Sequence, residues 1–303
     1  MYKVESLENF KDKSFITFKN FYNLMKPRVM SLVIFTAFVG MILSNQQIDF
    51  FKSAISLFFV AIGAGAAGAL NMWYDSEIDA VMSRTCLRPI PLGAISNKEA
   101  LIFGVILSFI SVFGLYIFSN FLSAFLLATT ISFYIFVYTI WLKRKTTQNI
   151  VIGGAAGALP PVIGWTIINN NLSLEPIILF LIIFLWTPSH FWALSLYKTE
   201  DYKKAQLPML PVVFGEKITK KNIFIYSIIL FPVSISPYFL NFAGNLYLIF
   251  SSLMGLIYIY MSFNLLRTKI RKNSEIISKK IFGFSIIYLF ILFFVLLVER
   301  IFI

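Results

Sequence analysis

One cysteine and one histidine in 303 residues leave little material for the chemistries that depend on them. The lone Cys86 excludes an intrachain disulfide and any multi-cysteine metal centre. The lone His190 excludes a bis-histidine haem site within one chain. Charge is scarce too. Only 13% of residues are Asp, Glu, Lys or Arg, against about a quarter in soluble domains. With 58% hydrophobic residues, the chain cannot be an ordinary water-soluble domain, and an all-α polytopic membrane protein is predicted. No short apolar segment with a cleavage site precedes the first long apolar run, so no secretory signal is expected. Glu5, Glu8 and Asp12 interrupt the N-terminal tail, unlike the acid-poor pattern of a transit peptide.

What the chain does have is long stretches without charge. A helix needs about 20 apolar residues to cross a bilayer. Residues 29–48, 53–74, 146–174, 176–197 and 281–298 each supply one span. Residues 100–142 and 222–266 are long enough for two each, turning near Ser119–Asn120 and Asn241–Asn245. Pro160–Pro161 predicts a kink. The expectation is a cytoplasmic tail over 1–28, then a single transmembrane domain over 29–303. Its roughly nine helices would bundle around a central cavity capped by loops 2–3 and 6–7. With the tail in the cytoplasm, 24 of the 26 Lys and Arg fall on the inner side, leaving only Lys52 and Arg300 outside. That asymmetry obeys the positive-inside rule. It accounts for the net charge of +12 without nucleic acid. It also puts the C-terminus outside and loop 2–3 on the face where diphosphate metabolites are found.

That loop carries the densest chemistry. Asn71, Asp75 and Asp79 are spaced by four, followed by Arg84, Thr85, Arg88 and Pro89. If the second helix continues through them, the first three lie on one face. Two carboxylates and an amide oxygen are hard ligands that suit Mg²⁺, and the guanidiniums suit a diphosphate. A solvated helix end with Asp–Arg pairs is the bland alternative. The membrane-edge position, within N-x-x-x-D-x-x-x-D-x-x-x-x-R-T-x-x-R-P, favours the metal site.

Three other features invite two readings each. Gly63–Ala69 and Gly153–Ala158 are small-residue runs that let helices pack closely; they could also mark an internal repeat. Lys143, Arg144 and Lys145 form either a topogenic cluster facing anionic lipid or an anion-binding group. His190 sits inside an apolar run, about 10 Å from the cytoplasmic end of its helix at 1.5 Å per residue. An ionisable group there is functional by default, the rival being a histidine bonded to a neighbouring carbonyl.

Taken together, these strings resemble the UbiA-type intramembrane prenyltransferases. The Asn71–Pro89 string is similar to their first aspartate-rich motif. The second D-x-x-x-D is missing: Asp201 has Tyr197 before it and Ala205 after it at the same spacing. That departure points to the haem O synthase (protoheme IX farnesyltransferase) branch. So do Lys26-Pro27-Arg28, Leu142–Gly157, Pro160–Trp165, His190-Phe-x-Ala-Leu-Ser195 and Asp201-Tyr-x-x-Ala-x-x-Pro-Met-Leu-Pro-Val212. The resemblance spans about 22–216, and the last three helices match only in hydropathy.

The resemblance implies Mg²⁺ held on farnesyl diphosphate by Asn71, Asp75 and Asp79, with Arg84, Arg88, Lys203 and Lys204 meeting the leaving group. Asp201 would join the same substrate site. The acceptor implied is a vinyl group of haem b. His190 would serve its iron or order a water. Lys143 and Arg144 would meet diphosphate or propionate. Implied surroundings are a bacterial cytoplasmic membrane, its lipid, and haem A synthase or terminal-oxidase assembly. Three rival readings stand beside it. A UbiA-type enzyme with a quinone-precursor acceptor would keep the first motif. A transporter would place its charges at the midplane of broken helices. A non-catalytic haem-binding protein would tolerate loss of Asp75 and Asp79.

Overall fold

A computed structural model describes residues 18–44 and 49–302, and the described residues contain no strand. Residues 1–17 of the expected tail, and Ile303, lie outside them. The expected turns and kink appear where the polar and Pro residues put them. Eight helices are long and apolar enough to cross a membrane, and nine if a pair bent by 55° counts as one span. That pair is α1 (Phe18–Leu24) and α2 (Pro27–Ile42). Residues 18–26 are therefore docked rather than free: Leu24 is fully buried against Ala69, Met72, Ile90 and Ile95.

Helix α3 (Phe50–Tyr74) begins at Asp49, whose side chain accepts from Lys52 N, and α4 (Ser76–Val81) follows it after a single residue. Helix α5 (Asn97–Phe118) starts with a reciprocal capping box between Ser96 and Glu99. Asn120 stops it and starts α6 (Phe121–Ser132), accepting from Ser123 N and donating to Thr166 O at 2.7 Å. Helix α6 runs on through Phe133–Leu142 as a wider π-helix. Helices α7 (Asn149–Ala158) and α8 (Pro160–Asn169) form one span broken at Leu159, as Pro160 can neither donate a backbone hydrogen bond nor avoid the preceding turn.

The rest is α9 (Leu174–Tyr197), the short α10 (Thr199–Lys204) and α11 (Leu210–Val213), then α12 (Gly215–Phe239), α13 (Asn245–Arg267) and α14 (Arg271–Phe302). Helices α12 and α14 extend well beyond the uncharged runs because their first turns are polar but still helical.

Without a hydrophobic force between lipid-bathed helices, close packing and hydrogen bonds hold the bundle. The α2–α8 crossing shows how close. A Cβ on Gly164 would lie 1.8 Å from Ala37 O, and one on Gly40 would lie 2.1 Å from Pro161 O. Two cores result. One joins α2, α3, α5, α6 and α8 around Val60, Leu115 and Leu127. The other joins α9, α12, α13 and α14 around Leu179, Tyr258 and Leu292. In the second, Glu299 accepts from Gly244 N at 2.6 Å and Tyr247 N at 2.8 Å, capping α13 from the neighbouring helix. Contacts between connecting segments bring the polar ends of α3, α6, α9 and α14 to one face. There Ser83 donates to Asp201 at 2.5 Å, and Arg271 donates to Glu200 at 2.9 Å.

Candidate active site

The Asn71–Asp75–Asp79 register survives the end of α3. Asp75 breaks the helix, yet its N–H donates to Asn71 O and Asp79 N–H donates to Asp75 O at 2.8 Å. The three residues therefore stay aligned, and all are buried: Asn71 is 4% exposed, Asp75 0% and Asp79 3%. Buried carboxylates need compensation, and each motif residue receives one cation from a different part of the chain.

Asp79 Oδ2 is paired with Arg88 at 2.6 Å, and the Thr85 hydroxyl donates to Asp79 O at 3.0 Å. Asp75 Oδ2 is paired with Lys143, the residue that caps the π-helical segment. Asn71 donates to Asp75 Oδ2 at 2.8 Å and to Thr139 Oγ1 at 3.0 Å, and its Oδ1 accepts from Lys26 at 2.5 Å. Lys26 itself sits in the left-handed region, with φ of 55°, between α1 and α2. The π-helix places Thr139 beside Asn71, and its wider turn lets the Thr139 hydroxyl donate to Tyr134 O, five residues back, at 2.8 Å. Segments of this kind recur at functional sites.

One atom at the centre is left over. Asp75 Oδ1 is sealed from solvent and has no hydrogen-bond partner. A buried acceptor without a donor costs about 1–3 kcal/mol, and an unmet carboxylate oxygen is a ligand that a hard cation takes. Among the described residues, no cluster of three or more His, Cys, Asp or Glu surrounds such a position. Two carboxylates with the remainder from water and phosphate is the ligand set that Mg²⁺ takes, so the residues fit that ion. Asn71 is placed differently from the expectation: its oxygen is engaged by Lys26, and its nitrogen orients Asp75.

The other expected residues divide. Arg144 lies over the Tyr74 ring at 4.8 Å and donates to Tyr74 O, at the end of α3. Arg84 is exposed on the same loop as Arg88 and close enough to act electrostatically on Tyr138, Tyr197 and Tyr202. Asp201 reaches the loop through Ser83. Lys203 instead pairs with Glu200 at 3.5 Å, and Lys204 is exposed. Glu200 is held below the usual carboxylate range by the Arg271 guanidinium and, next, by Lys203, so this group ties α10 to α14 and not to the Asp motif. His190 makes no direct contact with the motif; its neighbour Phe191 packs against the cluster that contains Ile78 and Met82 and stands edge-on to His190 at 5.1 Å. Thr139 was not legible as a site residue, and Lys26 stood out only within Lys26-Pro27-Arg28.

The UbiA prenyltransferase family matches residues 33–297. The chain belongs to this family. It is a transferase, a prenyltransferase embedded in a membrane as a multi-pass integral protein. A curated relative, the protoheme IX farnesyltransferase of Pelagibacter ubique, is 56% identical over 293 residues, covering 97% of each chain. A solved digeranylgeranylglyceryl phosphate synthase has the same fold, with a TM-score of 0.77 at 23% identity, covering 94% of this chain and 99% of that one. A UbiA homologue from Archaeoglobus fulgidus, solved bound to DMAPP and Mg²⁺, has a TM-score of 0.62 at 17% identity, covering 90% and 99%. Within this family the expectation of an all-α bundle holds, and so does that of a prenyltransferase. The transporter reading falls.

Proposed function

We propose that this prenyltransferase moves a farnesyl group from farnesyl diphosphate to a vinyl group of haem b, releasing diphosphate. The product is haem O with its hydroxyethylfarnesyl side chain. The observation that carries the diphosphate half is Asp75, fully buried with one unpartnered oxygen and paired with Lys143, between Asn71 and Asp79, which bind Lys26 and Arg88. The acceptor half rests on the protoheme IX farnesyltransferase of Pelagibacter ubique, to which the chain is 56% identical, and on the strings it shares with haem O synthases.

Asp75 and Asp79 would hold Mg²⁺, which would supply Lewis-acid charge neutralisation to the diphosphate. Arg84, Arg88 and Lys143 donate to the diphosphate oxygens as the allylic C–O bond breaks and the electron pair leaves with the diphosphate. Fixed donors aimed at developing charge are often the largest catalytic contribution. The vinyl π electrons then form the new C–C bond. The cation left on the carbon next to the porphyrin takes up one water and loses a proton, which gives the hydroxyl. Tyr134 and Tyr138, within electrostatic reach of Asp75, keep other water from the allylic cation. His190 serves the haem side. Loop 2–3 faces the cytoplasm of a bacterial cell, and the C-terminus faces outward.

The test is product analysis. Purified protein in lipid nanodiscs, given haem b, farnesyl diphosphate and Mg²⁺, should yield haem O by mass, and EDTA should stop it. Conversion of a quinone-precursor ring with haem b untouched would replace this acceptor with another.

A further inference from the structure

His190 is the chain's one histidine, and the structure fixes it more tightly than an accident of packing requires. Trp186 covers one face of the ring, with centroids 4.2 Å apart and planes 18° apart. Phe282 covers the other at 4.5 Å and 24°. Trp186 in turn donates its indole N–H to Ser285 O at 2.8 Å. The ring thus has one orientation, set by α9 on one side and α14 on the other.

Within that slot Nδ1 lies 2.6 Å from Ser285 Oγ. A hydroxyl has one hydrogen to give. Ser285 gives it to Phe282 O, one turn back along α14, at 2.7 Å. With its hydrogen on that carbonyl, Ser285 Oγ meets the imidazole as an acceptor, and that arrangement puts the proton on Nδ1 and the lone pair on Nε2. Among the described residues nothing bonds Nε2. The residue keeps 6% of its surface exposed.

A histidine kept only for structure inside a membrane would have both nitrogens satisfied, since an unmet polar group there is costly. One nitrogen protonated by a fixed acceptor and the other bare is the arrangement that prepares an imidazole for a metal.

We infer that Ser285 on α14 is a positioning residue that holds His190 in the Nδ1–H tautomer, so that Nε2 ligates the iron of the haem acceptor. This rests on the haem reading given above and adds a specific task for the last helix. The sequence left that helix with hydropathy alone.

A single histidine makes the test direct. Protein labelled with ¹⁵N-histidine, in nanodiscs without haem, should show one imidazole with a protonated Nδ1 and an unprotonated Nε2. Ser285→Ala should convert it to a mixture or to the opposite tautomer, and Ser285→Thr should keep it. On adding haem b, Ser285→Ala should weaken binding about 10- to 100-fold, the usual effect of losing a ligand's orienting partner. His190→Ala should remove the nitrogen-ligand features from the haem absorption spectrum, and added imidazole should restore them.

A proton on Nε2 in the wild type overturns the inference, as do ¹⁵N signals unchanged by Ser285→Ala. A haem spectrum indifferent to His190→Ala, with haem O still formed, removes the ligand role and leaves the prenyl-transfer reading intact. An iron spectrum that depends on His190 in a protein forming no haem O would do the reverse.

Discussion

Replacing Asp75 with asparagine changes one atom and one charge at a position with no solvent exposure. Its consequences separate into two energies. The first is stability. Asp75 is the buried partner of Lys143, whose side chain is 18% exposed. Removing one member of a buried pair costs about 3–5 kcal/mol; the residual access of Lys143 to water brings this case down to about 2–3 kcal/mol. Lys143 and the Asn71 amide both donate to Oδ2, so the new side chain keeps its carbonyl oxygen there and turns its NH2 into the place of the unpartnered Oδ1.

The second energy is catalytic. An amide cannot supply the charge that binds the metal, and turnover should fall by about a thousandfold or more, which is about 4 kcal/mol in the barrier. The double variant Asp75→Asn/Lys143→Met separates them. It should recover most of the lost thermal stability, since no unpaired ammonium remains, and none of the turnover. Thermal unfolding in detergent reads the first energy. Single-turnover product formation in nanodiscs reads the second. Turnover of Asp75→Asn within tenfold of wild type, or activity indifferent to EDTA, would refute the reasoning. If the double variant recovered both, the aspartate would be a structural counter-ion and nothing more.

Other outcomes follow from the same geometry. Arg88→Lys keeps the charge beside Asp79 but loses the planar fork aimed at the developing diphosphate charge, so kcat and kcat/KM should both fall about tenfold or more, measured by steady-state kinetics. Gly164→Ala places a methyl against Ala37 O and should cost about 1–3 kcal/mol or more, seen as a lower unfolding midpoint; Gly157→Ala, with nothing within 4 Å of its Cβ, should unfold like wild type. Reporter fusions after Lys145 and after Ile303 should report cytoplasm and exterior respectively, and matching signals would mean a miscounted span.

Much of this architecture was legible because a bilayer leaves few choices. Uncharged runs of fixed length must be helices, and Asn120, Pro160 and Asn245 then punctuate them. The Asp75 and Asp79 positions were legible for a similar reason, since paired acids at four-residue spacing seldom sit idle at a membrane edge. The partners were not. Lys143 and Lys26 reach the motif across 68 and 45 residues respectively, and no periodicity encodes such contacts. Lys203 looked suitable by charge alone, but Glu200 and Arg271 decide where α10 turns. The left-handed Lys26 was invisible too, because Lys-Pro suggests only that the chain changes course.

The π-helical turn at the end of α6 has a meaning in the arithmetic of the chain. An ordinary α-helix advances 100° per residue, whereas a π turn fits one more residue into each loop of backbone. Phe133–Leu142 therefore behaves as a helix holding surplus residues that it refuses to extrude. Wound normally, the same sequence would swing Lys143 around the helix axis and carry its ammonium away from Asp75, with Thr139 lost from Asn71. The segment works as a phase shifter: it gives up regular hydrogen-bond geometry to set the angle at which one charge enters the site. A single-residue deletion there would disturb the aim of that charge while leaving the span long enough to cross the membrane.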